Sequence, residues 1–345
     1  MKNSSKRMAS IAAASLALAL GLAGCGKGEG DSGDSGGGGG DSKAASITFI
    51  PKNLGNPYFE TSDAGGKKAV EELGGKYAEV GPQEASADAQ AQFIDTEAQK
   101  RTSAIVLSAN DPEALGDSLT KAREAGTKIV TFDADVNPEY RDVFVNQAST
   151  EGIGKVQVDM IADQIGDAGE IAILSATANA TNQNAWIDVM KAELKNHPKI
   201  KLVETAYGDD DDQKSFDKTA ALLQKHPNLK GIISPTTVGI AAAGRYLSTS
   251  DAKGKVALTG LGTPDQMRKY VKDGTVKEFA LWNPEDLGYL AAFAADALVK
   301  GDIKGDEGDT FEAGKLGEYK VGANGEVLLG EPFKFNAENI DQFKF

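Results

Sequence analysis

The chain has 345 residues and a formal charge of −14, with 51 acidic against 37 basic side chains. A chain this acidic has no Lys/Arg cluster of the kind that replaces counterions on nucleic acid or grips anionic headgroups, so neither is expected as a partner. Two histidines and one cysteine also leave no intramolecular disulfide and no multi-cysteine metal site.

In chain order, a basic start (Lys2, Lys6, Arg7) leads into an apolar run from Ile11 to Leu22 that ends at Leu22-Ala23-Gly24-Cys25. The run is too short to span a bilayer, and its small-residue exit has the form of a secretory signal. The tetrapeptide resembles the lipobox of bacterial lipoproteins, whose cysteine is acylated after cleavage. That resemblance implies a lipoprotein signal peptide over 1–24, lipidation at Cys25 and a Gly/Ser/Asp tether over 25–45. The protein is then expected outside the cytoplasm, anchored to the cell membrane through lipid only.

From Ser46 short apolar runs alternate with longer amphipathic ones. Strands are predicted at Ile47–Ile50, Tyr77–Val80, Ala104–Leu107, Lys128–Thr131 and Asp142–Val145, with helices over Pro57–Leu73, Ala87–Arg101 and Pro112–Ala125. The rhythm then repeats. Helices are predicted over Glu151–Ile165, Ala180–His197, Gln213–Lys225, Thr237–Leu247, Asp265–Asp273 and Glu285–Lys300. Strands fall between them at Glu170–Leu174, Ile200–Tyr207, Gly231–Ile233, Lys255–Leu258 and Val276–Leu281. Short apolar strands between long helices mark parallel sheets covered on both faces. The fold class is therefore α/β, with two doubly wound parallel-sheet lobes joined by a hinge near Asn146–Ser149. The expected division is 46–147 plus 283–312 for the N-terminal lobe and 148–282 plus 313–345 for the C-terminal lobe. The Gly-punctuated stretch Thr310–Gly330 reads as a hairpin.

Open parallel sheets bind ligands beyond the carboxyl ends of their strands, so the polar residues after each strand are the candidates. These are Lys52, Asn56, Tyr58, Phe59, Asp133, Asp135, Asn182, Gln183, Pro235, Thr236, Thr237, Trp282 and Asn283. Amides and carboxylates hold hydroxyls in pairs, and rings cover the C–H faces of a sugar. Arg clamps of the kind that hold phosphate or carboxylate are missing from these loops. Lys52 is placed to pair with Asp133 or Asp135. Catalysis is not expected. His197 and His226 fall at helix ends as surface features, and no Cys/His or Ser/His arrangement can be built without them. Asp133 and Asp135, two apart, share a face in an extended segment and more simply accept ligand hydroxyls. The four aspartates Asp209–Asp212 read as solvated charges at a helix start rather than a calcium loop. No cofactor and no metal are expected.

The two-lobed layout, the lipobox and the Asn56-Pro57-Tyr58-Phe59 helix opening resemble the type I periplasmic sugar-binding proteins of ABC importers. Phe49-Ile50-Pro51-Lys52, Asn146-Gln147, Gly274–Phe279 and Glu338-Asn339-Ile340 are similar to the branch that holds autoinducer-2 receptors and rhamnose-binding proteins. The autoinducer-2 pocket pattern is matched at Lys52 and Asp133. Its Asp-Gln pair is Asn182-Gln183 here, and Thr237 stands in place of its alanine. Ser234–Gly239 looks like the rhamnose-binding proteins instead. The resemblance implies a binding receptor for L-rhamnose, with an autoinducer-2 or other pentose or deoxyhexose receptor as the alternative. It also implies an ABC permease as partner and a monomeric state.

Overall fold

The first half of the chain lays down β1 (Ser46–Ile50), α1 (Pro57–Glu72), β2 (Lys76–Glu79), α2 (Ala87–Lys100), β3 (Ala104–Leu107), α3 (Gly116–Glu124), β4 (Lys128–Phe132) and β5 (Val143–Asn146). This computed structural model describes residues 44–345. The signal, Cys25 and all but the last two residues of the tether lie outside the described residues. The strands pair in parallel in the order β2-β1-β3-β4-β5. Their side chains alternate between two buried faces. Ile47, Phe49, Val106, Val130 and Phe132 share a core with α1, while Ile50, Ile105, Leu107 and Ile129 pack with Ile94 of α2 and Leu119 of α3. The helix expected from Pro112 starts at Gly116. Asp111 Oδ1 accepts from the backbone N–H of Glu113 and Ala114, which forms a side-chain turn where the first helical turn was expected.

The second half repeats the plan with α4 (Thr150–Ile165), β6 (Gly169–Ser175), α5 (Thr181–Glu193), β7 (Ile200–Tyr207), α6 (Asp212–Lys225), β8 (Leu229–Ser234), α7 (Thr237–Ser248), β9 (Ala257–Gly260), α8 (Pro264–Lys272) and β10 (Glu278–Leu281). The order β7-β6-β8-β9 is again parallel, and a Leu261–Ala280 bridge brings β10 alongside the end of β9. Both sheets therefore share one winding, in which the chain reverses direction across the first strand.

Next, α9 (Pro284–Lys300) returns to the first lobe and lies against α1. The two helices touch through glycines: a Cβ on Gly65 would sit 1.9 Å from the Glu285 carbonyl oxygen, and one on Gly288 1.8 Å from that of Ser62. The tail holds β11 (Thr310–Glu312), β12 (Glu318–Lys320), β13 (Glu326–Leu328) and β14 (Phe333–Asn336). Here the structure departs from the expected division. Only β11 and β12 form the hairpin, whereas β13 pairs in parallel with β5 at the edge of the first sheet. Arg141 Nη1 donates to the Asn324 carbonyl at 2.7 Å and steers the segment there. Not all of 313–345 joins the second lobe, therefore; β14 does, antiparallel to β10. The chain passes between lobes after β5, after β10 and after β13.

Candidate functional site

The carboxyl ends of the two sheets face each other across a cleft. Its walls are Lys52, Asn56, Tyr58, Phe59, Asp133, Asn182, Gln183, Trp186, Asp210, Pro235, Thr236, Thr237, Leu261, Leu281 and Trp282. It encloses about 370 Å³ of atom-free space, its open mouth included.

Lys52 follows β1 and is held by its backbone. Asn110 Nδ2 donates to the Lys52 carbonyl at 2.8 Å, and the buried Gln90 amide donates to the carbonyls of Pro51 and Ser108. The ammonium is buried, 3.6 Å from Asp133 Oδ2 and 3.2 Å from Asn182 Oδ1. Asp133 follows β4 in the left-handed region, φ +59°, at the centre of a three-residue turn closed by Ala134 N–H to the Phe132 carbonyl. Ser108 Oγ donates to its Oδ2 at 2.7 Å. From the second lobe, Asn182 Nδ2 lies 3.3 Å from both the carbonyl and Oδ1 of Asp133. Ser175 Oγ and Ala176 N–H both donate to Gln183 Oε1, which holds that side chain against the end of β6.

The cleft also holds aromatic rings. Tyr58 and Phe59 open α1 behind Asn56, which caps the helix by accepting from Tyr58 N–H. Trp282 Nε1 donates to the Tyr58 hydroxyl at 2.9 Å, and the two rings meet edge to face. Trp186 of the second lobe stands 6.0 Å from Trp282, centroid to centroid. Burial, reinforced by the Asp133 charge, pushes the Tyr58 hydroxyl well above its usual range, so it remains a donor at neutral pH.

Two predicted residues do not face the cleft. Asp135 makes a two-pronged ion pair with Arg141 Nε and Nη2, both at 2.8 Å. The left-handed turn at Asp133 breaks the extended backbone that would have put both carboxylates on one side. Asn283 is the cap of α9, accepting from Glu285 N–H at 3.0 Å. Asn56 and Asn283 carry the same Asn-Pro opening, and only the first lines the cleft.

Asp210 is in the cleft and was not predicted. Of the four aspartates, Asp211 caps α6 through Lys214 N–H, Asp212 pairs with Arg245, and Asp209 is exposed beside Lys214. Asp209 and Asp210 both have positive φ, +56° and +50°, and this turn carries Asp210 to the cleft, where Thr236 Oγ1 donates to it. No feature of the run of aspartates marks one member out. The two histidines pair with carboxylates, His197 with Asp167 and His226 with Glu204. Among the described residues, Asp159, Glu193 and His197 form a trio with ligand atoms within 4.8 Å of one another, and none of them lines the cleft.

Comparison with known proteins agrees with this architecture. A sugar ABC transporter from Actinomyces odontolyticus is 54% identical, with a TM-score of 0.71 over 87% of this chain and 98% of its own. A solute-binding protein from Clostridium phytofermentas, solved with bound L-rhamnose, is 40% identical at a TM-score of 0.84, covering 87% and 98%. LsrB from Clostridium saccharobutylicum, in complex with AI-2, is 27% identical at 0.82, covering 87% and 99%. The periplasmic binding protein domain matches residues 47–303, and the chain belongs to that family.

Proposed function

We propose that this protein is an extracytoplasmic receptor that captures L-rhamnose between its lobes and delivers it to an ABC importer. In this reading it acts as a monomer anchored through lipid on Cys25. The observation that carries the ligand class is the mixed lining of the cleft. Lys52, Asp133, Asn182, Gln183, Thr236 and Thr237 offer charges, amides and hydroxyls, alongside the rings of Tyr58, Phe59, Trp186 and Trp282. A 6-deoxy sugar matches both kinds of group, with hydroxyls for the polar ones and a methyl group for the rings. The relative with bound L-rhamnose supports this choice within the class.

Capture needs no chemical step. Lys52, Asn182 and Asp133 already bond across the cleft, and a sugar entering there exchanges those contacts for its own hydroxyls. The lobes close over it, which removes water and joins surfaces from both lobes into one face for the permease. The test is calorimetry against L-rhamnose, autoinducer-2, D-ribose and L-arabinose. Tightest binding to L-rhamnose is expected, and Asp133→Ala should weaken it by about 1–3 kcal/mol, the cost of unmade hydrogen bonds. Tighter binding of another member of the panel would move the assignment to that ligand. Binding of none would end the sugar reading.

A further inference from the structure

We infer that Asp210 is a specificity-determining ligand contact, the second lobe's carboxylate answering Asp133 of the first; this rests on the sugar-capture reading of the cleft. Every other group that the second lobe presents there is neutral, whether amide, hydroxyl, Pro235, the leucines Leu261 and Leu281, or the rings of Trp186 and Trp282. Asp210 is thus its one ionisable group among the described lining residues.

Three observations bear on its role. Its position depends on two successive non-glycine residues in the left-handed region, a costly conformation kept where surrounding structure or function demands it. Thr236 Oγ1 fixes its Oδ1, while Oδ2 receives no hydrogen bond from the described residues and stays a free acceptor. Burial raises its pKa, with the Lys52 charge and the Thr236 bond offsetting part of the rise.

A carboxylate accepts hydroxyl protons and donates none, so it selects hydroxyls by direction as well as by position. With Asp133 on one lobe and Asp210 on the other, a sugar whose hydroxyls reach both can satisfy them only in the closed form. That geometry rewards closure with the right stereoisomer and leaves a buried carboxylate unpaired with the wrong one.

The experiment compares wild type, Asp210→Asn and Asp209→Asn by calorimetry against L-rhamnose and a monosaccharide panel, with thermal unfolding in the absence of sugar. Asparagine tolerates the left-handed backbone and still accepts from Thr236. Asp210→Asn should bind L-rhamnose about 10- to 100-fold more weakly and change the ranking across the panel. Its sugar-free melting temperature should stay level or rise, because a desolvated charge is gone. Asp209→Asn, altered at an exposed neighbour, should match wild type in affinity. Equal affinity and ranking for Asp210→Asn and wild type would overturn the role of Asp210 and leave the sugar reading standing. A wild type that binds no sugar in the panel overturns both. If Asp210→Asn melts well below wild type, Asp210 serves the fold, and the inference fails.

Discussion

Asp63 sits inside α1 with 1% of its surface exposed. Ser62 Oγ donates to Oδ1 at 3.1 Å, and Oδ2 has no partner among the described residues. Burial, with the Glu79 charge adding to it, holds its pKa well above the ordinary carboxylate value. The folded chain therefore keeps a proton that the unfolded chain releases near pH 4. Stability falls as pH rises from there through the raised folded pKa, and the full penalty stands above it. Asp63→Asn cannot ionise and should gain about 1–3 kcal/mol at pH 7.5, with little gain at pH 4. Denaturant unfolding at the two pH values checks this, and an equal gain at both would exonerate the charge. Residues of the cleft were legible where a strand end dictated them, as with Lys52, Asp133 and Gln183. They were illegible where backbone sign decided. Asp133 and Asp210 are both turned by positive φ, which sends Asp135 to Arg141 and brings Asp210 inward from a run of identical neighbours.

At the level of elements, the helix pair α1 and α9 couples the cleft to the frame of the first lobe. α1 begins with Tyr58 and Phe59 among the rings of the cleft, and α9 begins two residues after Trp282. Gly288→Ala would place a methyl group 1.8 Å from the Ser62 carbonyl oxygen, backbone that has no rotamer to yield. The helices must separate, at a cost of about 1–3 kcal/mol for overpacking. Both the melting temperature and the affinity for L-rhamnose should drop, because the displaced helix carries rings of the cleft. An unchanged melting temperature would show that the pair parts without cost. The elements themselves were written in plain periodicity: Ala104–Leu107 and Ile200–Tyr207 match the sequence expectation to the residue. The tail was not. Three-residue strands such as β13 have too few side chains to show a period, and their pairing is set by distant partners, β5 and the Arg141–Asn324 bond.

For the whole molecule, the balance between open and closed forms follows from what bridges the lobes. Across the cleft run the bonds from Lys52 to Asn182 and from Asn182 to Asp133, and at the rim Asn179 Nδ2 meets Asp111 Oδ2 at 2.9 Å. Each of these bonds has a charged partner: the two in the cleft are on the scale of about 1.5–3 kcal/mol, and solvent reduces the exposed rim pair to about 1 kcal/mol or less. A sugar that takes over the two cleft bonds must replace them with its own, and chain crossings after β5, β10 and β13 permit a hinge motion. A sugar bonded to both lobes favours the closed form by its differential affinity for it. Small-angle scattering should therefore show a smaller radius of gyration when L-rhamnose is added to wild type. Asn179→Ala loses only a rim contact and should contract equally. Asp133→Ala should stay expanded at the same sugar concentration, since the first lobe's carboxylate is missing. If the radius of wild type is identical with and without bound sugar, the lobes do not close on their ligand, and the cleft works as a rigid socket.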